Sequence, residues 1–167
     1  MKSKFLSKKF YVGFSIVSII YFLDRLSKIF VIQLDEKNFG SDIFNSAYLN
    51  IVLIWNKGIA FGLFSFKEVY LYNILSLIIS IIVIILVIMS LKSTGFKRYS
   101  LLMIVGGALG NLHDRIFFYA VPDFIDIHVG NFHWFIFNVS DIFITIGVIF
   151  IVFFEIINET NNANEKI

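Results

Sequence analysis

Cysteine is absent and proline occurs once, at Pro122. Without cysteine there is no disulfide framework, no thiol nucleophile and no thiolate metal site. The lone proline, with abundant isoleucine and phenylalanine, suits packed spans instead of linkers or disorder. Charge is equally scarce. Only 16% of the residues are Asp, Glu, Lys or Arg, and the net charge is +2. Basic residues sit mainly at the ends of apolar runs and form no long tract, which argues against nucleic acid as a partner.

Apolar residues take the place of what is missing. They make up 58% of the 167 residues, with 21 phenylalanines, and mean hydropathy is +0.84, too apolar for a soluble domain of this length. The expected architecture is one all-α integral membrane domain over 1–167. Four segments are long enough to cross a bilayer, at about 10–32, 69–91, 99–118 and 139–157, each near the ~20 residues a span requires. The basic start MKSKFLSKK and the apolar run after it resemble a signal peptide, but no small-residue cleavage site follows, so this segment is expected to stay as the first helix. Residues 158–167 are polar and are expected to be a disordered tail.

Lys2, Lys4, Lys8 and Lys9 precede the first span, Lys92, Lys97 and Arg98 join the second to the third, and Lys166 lies in the tail. The opposite side carries Lys37, Lys57 and Lys67 in loop 33–68, and none between the third and fourth spans. This imbalance predicts both termini in the cytoplasm. Loop 33–68 contains SAYLNIVLIWNKGIAFGLFSF, which predicts short strands on the outer membrane surface with a turn at NKG between them. Trp55, Asn56 and Phe61 in this loop are placed to cover a site. The second span is mostly isoleucine and leucine, and is expected to face lipid and carry little chemistry.

Polar residues inside the spans converge on one depth. At ~1.5 Å rise per residue, Asp24, Asn111, Arg115 and Asp141 stand about 18–24 Å from the inner face of a core roughly 30 Å thick. Asp24 and Lys28 are i,i+4, as are Asn111 and Arg115 with Asp114 adjoining, and Asn138 lies three before Asp141. Such groups are costly in hydrocarbon unless paired or hydrated, which makes them candidates for function. Asp24–Lys28 and Asp114–Arg115 also fit structural ion pairs or helix-end anchors. Gly106, Gly107 and Gly110 would let a neighbouring helix approach closely.

Asp123 and Asp141 bracket an aromatic and polar loop and have no basic residue near them in sequence. Two acids brought back to one depth suggest hydrolysis. Asp126 is expected to be solvated and Glu155 to be interfacial. His113, His128 and His133 do not show the HExxH spacing of a zinc peptidase, and neither Ser27 nor Ser140 has a G-x-S-x-G context.

Five segments in this order, DRLSK (24–28), NKGIAFG (56–62), GGALGNLHDR (106–115), VPDFID (121–126) and FNVSD (137–141), resemble the lipoprotein signal peptidase family, the bacterial membrane aspartyl peptidases also called signal peptidase II. The resemblance covers nearly the whole chain. It implies cleavage of prolipoproteins on the amino side of a diacylglyceryl-modified cysteine, with Asp123 and Asp141 as the catalytic pair. Polar support then falls on Asp24, Lys28, Asn56, Gly58, Asn111, Asp114, Arg115 and Asn138. Ser140 stands where the family usually has alanine, and Pro122 stands where valine or isoleucine commonly precedes the aspartate. No cofactor or metal is implied. The implied partners are lipid-modified prolipoproteins and membrane lipids, with the chain monomeric in a bacterial inner membrane and its site near the extracytoplasmic face. A small transporter subunit and a non-catalytic lipoprotein-binding scaffold are the competing expectations.

Overall fold

The computed structural model describes residues 2–58 and 69–164. Four long helices and four short strands follow one another as α1 (Lys2–Lys37), β1 (Phe44–Asn45), β2 (Leu49–Asn56), α2 (Val69–Lys92), α3 (Gly95–Phe118), β3 (Val121–Val129), β4 (Phe132–His133) and α4 (Val139–Asn164). Three of the helices contain stretches long and apolar enough to cross a membrane, Tyr70–Lys92, Gly95–Phe118 and Val139–Ile157. Large apolar side chains such as Phe22, Leu77, Ile84 and Phe153 are more than half exposed. Exposed apolar surface on this scale requires lipid to cover it.

The third helix is the hub, packing against α1, α2 and α4. Small residues make this possible. A β-carbon on Gly106 would stand 2.9 Å from the Ile20 β-carbon, one on Gly107 2.5 Å from the Ser140 carbonyl oxygen, and one on Gly147 2.8 Å from the Ser100 carbonyl oxygen. All three separations are shorter than carbon contacts allow, so α1 and α4 can approach α3 this closely only where a side chain is missing.

All strand pairings are antiparallel, in the order β1-β2-β3-β4. This changes the expected layout of loop 33–68. β2 stops at Asn56 and its long partner is β3, contributed from beyond α3; the stretch after NKG, where the second strand of the expected turn would fall, lies outside the described residues. Phe61 and Gly62 lie outside the described residues. Likewise, the expected loop between Asp123 and Asp141 is a β3–β4 hairpin turning at Gly130–Asn131. Helix boundaries differ as well. The first helix runs on to Lys37, through Asp35 and Glu36, and stops where Phe39 and Gly40 turn left-handed at φ 54° and 74°. The last is helical to Asn164, so the polar stretch after Ile157 continues the helix in place of the expected disorder.

Two local features aim the sheet at the helices. Tyr119 ends α3 in the left-handed region at φ 55°, a conformation rare for a bulky residue, and thereby turns the chain sharply into β3. Beyond β4, Phe137 bridges to Ile125: its carbonyl accepts the amides of Phe124 and Ile125 at 3.0 and 2.8 Å, and its own amide donates to Ile125 at 3.1 Å. The start of α4 is thus fastened beside Asp123.

Gly107→Ala should lower the thermal stability of detergent-purified protein by about 1–3 kcal/mol through overpacking. Ile85→Ala, on the exposed face of α2, should leave the melting temperature nearly unchanged.

Candidate active site

Buried polar groups collect where the second half of α1, the end of α3 and the start of α4 meet β2 and β3. Asp24, Lys28, Asp114, Arg115, Asp123 and Asn138 are all at most 6% exposed. Buried charge is tolerable only when paired and hydrogen-bonded. Here the pairing centres on Lys28, whose Nζ donates to Asp24 Oδ2 at 2.8 Å, Asp114 Oδ2 at 2.7 Å and Asn111 Oδ1 at 3.0 Å. An ammonium has three protons, so its donor capacity is filled. Arg25 completes the group, 2.6 Å from Asp114 Oδ1. Asp114 therefore pairs with Lys28 and Arg25, not with its neighbour Arg115.

From this cluster the geometry passes outward to the two bracketing acids. Because the oxygen of Asn111 is held by Lys28, its Nδ2 is left to donate to Asp141 Oδ1 at 2.8 Å. The other oxygen of Asp24 accepts the Ser140 amide at 3.0 Å, tying α1 to the first turn of α4. Asn56 is oriented in the same manner: its oxygen accepts the Gly58 amide at 2.8 Å and its Nδ2 donates to Asp123 Oδ2 at 2.9 Å. Gly58 is held from its other side by Arg115 Nη2, which donates to the Gly58 carbonyl at 2.9 Å.

Asn138 joins the acids directly. Its Nδ2 donates to Asp123 Oδ1 at 2.5 Å. It also caps α4, its Oδ1 accepting the Asp141 amide at 3.1 Å while its own amide donates to Asp141 Oδ2 at 3.3 Å. This is the reciprocal capping-box pattern with aspartate in the acidic position. Burial pushes the Asp123 carboxyl up to about 6, the charge of Asp141 pushes the same way, and the hydrogen bonds from Asn56 and Asn138 oppose them. All ten residues singled out from the sequence thus fall into one connected assembly. Four carboxylates (Asp24, Asp114, Asp123, Asp141) face three cations (Arg25, Lys28, Arg115), so the assembly is neutral when the Asp123–Asp141 pair holds one proton.

Three features depart from expectation. Asp126 is 4% exposed instead of solvated, because β2 and β4 flank it: Asn50 Nδ2 donates to Asp126 Oδ2 at 3.1 Å and His133 Nδ1 lies 2.8 Å from the same oxygen. The second helix is not purely a lipid-facing element, because it buries Tyr72 against Tyr119, ring centroids 6.2 Å apart. Arg25 joins the charged cluster without being among the residues the resemblance implies, although its place beside Asp24 in DRLSK marks it as part of that turn. Glu155 is half exposed and pairs with Lys97 between α3 and α4. Among the described residues no group of three or more His, Asp or Glu side chains forms a metal-binding cluster. An apolar cavity of about 300 Å³ lined by Trp134, Phe135, Phe137, Ile142 and Ile146 opens onto Asp141.

Residues 16–157 match the family described as signal peptidase (SPase) II. The chain is 45% identical over 159 residues to the lipoprotein signal peptidase of Pelagibacter ubique (strain HTCC1062), covering 95% of this chain and 96% of that one. It is 41% identical over 144 residues to the lipoprotein signal peptidase of Anaplasma phagocytophilum (strain HZ), covering 85% and 90% respectively. A bacterial membrane enzyme solved by the in meso method at 2.3 Å resolution superposes with a TM-score of 0.73 at 29% identity, covering 90% of each chain.

Lys28→Met should destabilise the protein by about 3–5 kcal/mol in thermal unfolding, because Asp24 and Asp114 lose their shared cation. Adding Asp114→Asn to that variant should recover part of the loss.

Proposed function

The chain belongs to the signal peptidase II family, and from that premise we propose that it is an aspartic endopeptidase that removes the signal peptide from diacylglyceryl-modified prolipoproteins. Cleavage falls on the amino side of the lipidated cysteine. The observation that carries the reading is Asn138, one side chain that holds Asp123 by its nitrogen and the amide of Asp141 by its oxygen. Two acids fixed to one small group share a proton more readily than they lose both.

The roles follow from their surroundings. Asp141 stands in the first turn of α4, where the positive end of the helix favours its ionised form, and it serves as base. Asp123, whose carboxyl is held up near 6, serves as acid. Asp141 takes a proton from water as the water oxygen bonds to the scissile carbonyl carbon, and Asp123 gives its proton to the carbonyl oxygen. In the collapse the C–N bond breaks, Asp141 returns its proton to the leaving cysteine nitrogen, and Asp123 recovers one from the tetrahedral hydroxyl. The pair is then ready for another turn. Arg115, Asn111 and Asn56 hold this geometry through the contacts described.

In this reading the chain has four membrane spans, α1 being the fourth, with both termini cytoplasmic and the site near the outer face of a bacterial inner membrane. One copy carries every site residue, in keeping with a monomer. The charged segment of α1 is matched by partners on α3 and α4, which removes the main objection to burying it in lipid.

In detergent, with a lipid-modified prolipoprotein followed by gel shift, Asp123→Asn and Asp141→Asn should each lower turnover at least about a hundred-fold while remaining folded. Near-normal turnover by either variant would remove that residue from the mechanism. The pH profile tests the acid. Activity needs one proton on the pair, so kcat/KM should fall as pH rises above the pair's upper apparent pKa, at about 6 or beyond. Asn56→Leu removes a hydrogen bond that favours ionised Asp123, so its residual activity should persist to higher pH than that of wild type.

A further inference from the structure

The phenol of Tyr72 is 4% exposed, and its hydroxyl has no hydrogen-bond partner among the described residues. Buried hydroxyls are nearly always paired, and an exception calls for an explanation. This one lies three residues past the start of α2, about 4.5 Å along its axis, at the same end of the bundle as the Asp141 turn of α4. The charges that reach it are Arg115 and Asp114. Arg115 itself has a buried Nε without a partner, although its two terminal nitrogens are occupied by Gly58 and Asn111. Two hydrogen-bond donors therefore stand unmatched at this end of the bundle, Arg115 within electrostatic reach of Tyr72, Asp123 and Asp141, and no acceptor among the described residues takes either. The ring of Tyr72 rests on Tyr119, whose left-handed backbone opens the turn into β3, so the hydroxyl is positioned by the same joint that delivers Asp123.

We propose that Tyr72 is a substrate-binding residue, its hydroxyl donating, beside Arg115 Nε, to a carbonyl oxygen of the bound prolipoprotein. The assignment rests on the peptidase reading above. A carbonyl is the fitting acceptor because both waiting groups are donors, and because it can enter an apolar setting without bringing a net charge. Access is not a separate obstacle: Asp123 is as closed to solvent as Tyr72, and any opening that admits a scissile peptide to the acid also bares the phenol. Two carbonyl sources lie within such a substrate, the peptide backbone and the ester groups of the diacylglyceryl moiety.

The test compares wild type with Tyr72→Phe, which keeps the ring and removes the donor. The substrate is a synthetic lipid-modified signal peptide in detergent, with kcat, KM and melting temperature all measured. The expected result is KM raised about ten-fold at unchanged kcat, since a grip made equally in ground and transition states acts on binding alone. The melting temperature should be equal or higher, because an unmatched buried hydroxyl has been removed. Unchanged kcat and KM would overturn the assignment, as would a fall in kcat at unchanged KM, or a loss of activity that merely tracks a loss of stability. Failure of wild type to cleave would instead sink the peptidase reading. A second substrate with ether-linked chains lacks the ester carbonyls. If the difference between Tyr72→Phe and wild type vanishes on it, the acceptor is the lipid ester; if it persists, the acceptor is a peptide carbonyl.

Discussion

A buried ammonium organises this molecule. Lys28 Nζ spends its three protons on α1 and α3, and through Asp24 and Asn111 it reaches the first turn of α4. A lone cation in that position would be prohibitively expensive, and the two carboxylates that neutralise it would be equally expensive alone. The three helices must therefore meet at this level for the chain to fold in an apolar surround at all. That requirement also has a directional result. With its oxygen committed to Lys28, Asn111 can present only its nitrogen to Asp141, so a structural ion pair sets the hydrogen bonding of a proposed catalytic group.

Above this layer the arrangement is one of amides aimed by prior commitments. Asn111, Asn56 and Asn138 each have the oxygen engaged by a donor and the nitrogen on a carboxylate. The result is that Asp123 and Asp141, the proposed catalytic pair, receive donors from fixed directions. Fixed dipoles around a reacting pair need no reorganisation during the reaction. The cavity of aromatic and aliphatic side chains beside Asp141 completes a setting that is polar at one point and apolar around it.

Much of this could be read from one dimension. Helical periodicity places Asp24 with Lys28 and Asn111 with Arg115 on common faces, and rise per residue brings three helices to the same depth, because both follow from local geometry. What periodicity cannot supply is pairing between distant segments. The long partner of β2 is β3 from beyond two helices, a pairing that no local reading of loop 33–68 supplies. The same non-local sheet buries Asp126 between Asn50 and His133, against the expectation drawn from its sequence neighbours. Tyr72 carries no distinguishing signal in the sequence, because most of its helix is isoleucine, leucine and valine and a tyrosine near a membrane interface is ordinarily an anchor.

The bridge between Phe137 and Ile125 has an implication for how such a chain can vary in length. One residue added or lost between Phe137 and Asp141 would rotate the start of α4 by about 100° and carry Asn138 off Asp123, with no slack to absorb the change. At Gly130–Asn131 the hairpin projects into exposed positions, and the bridge isolates α4 from whatever happens there. Insertions and deletions in descendants of this sequence should therefore collect at the hairpin tip, while the five residues from Phe137 to Asp141 keep their count.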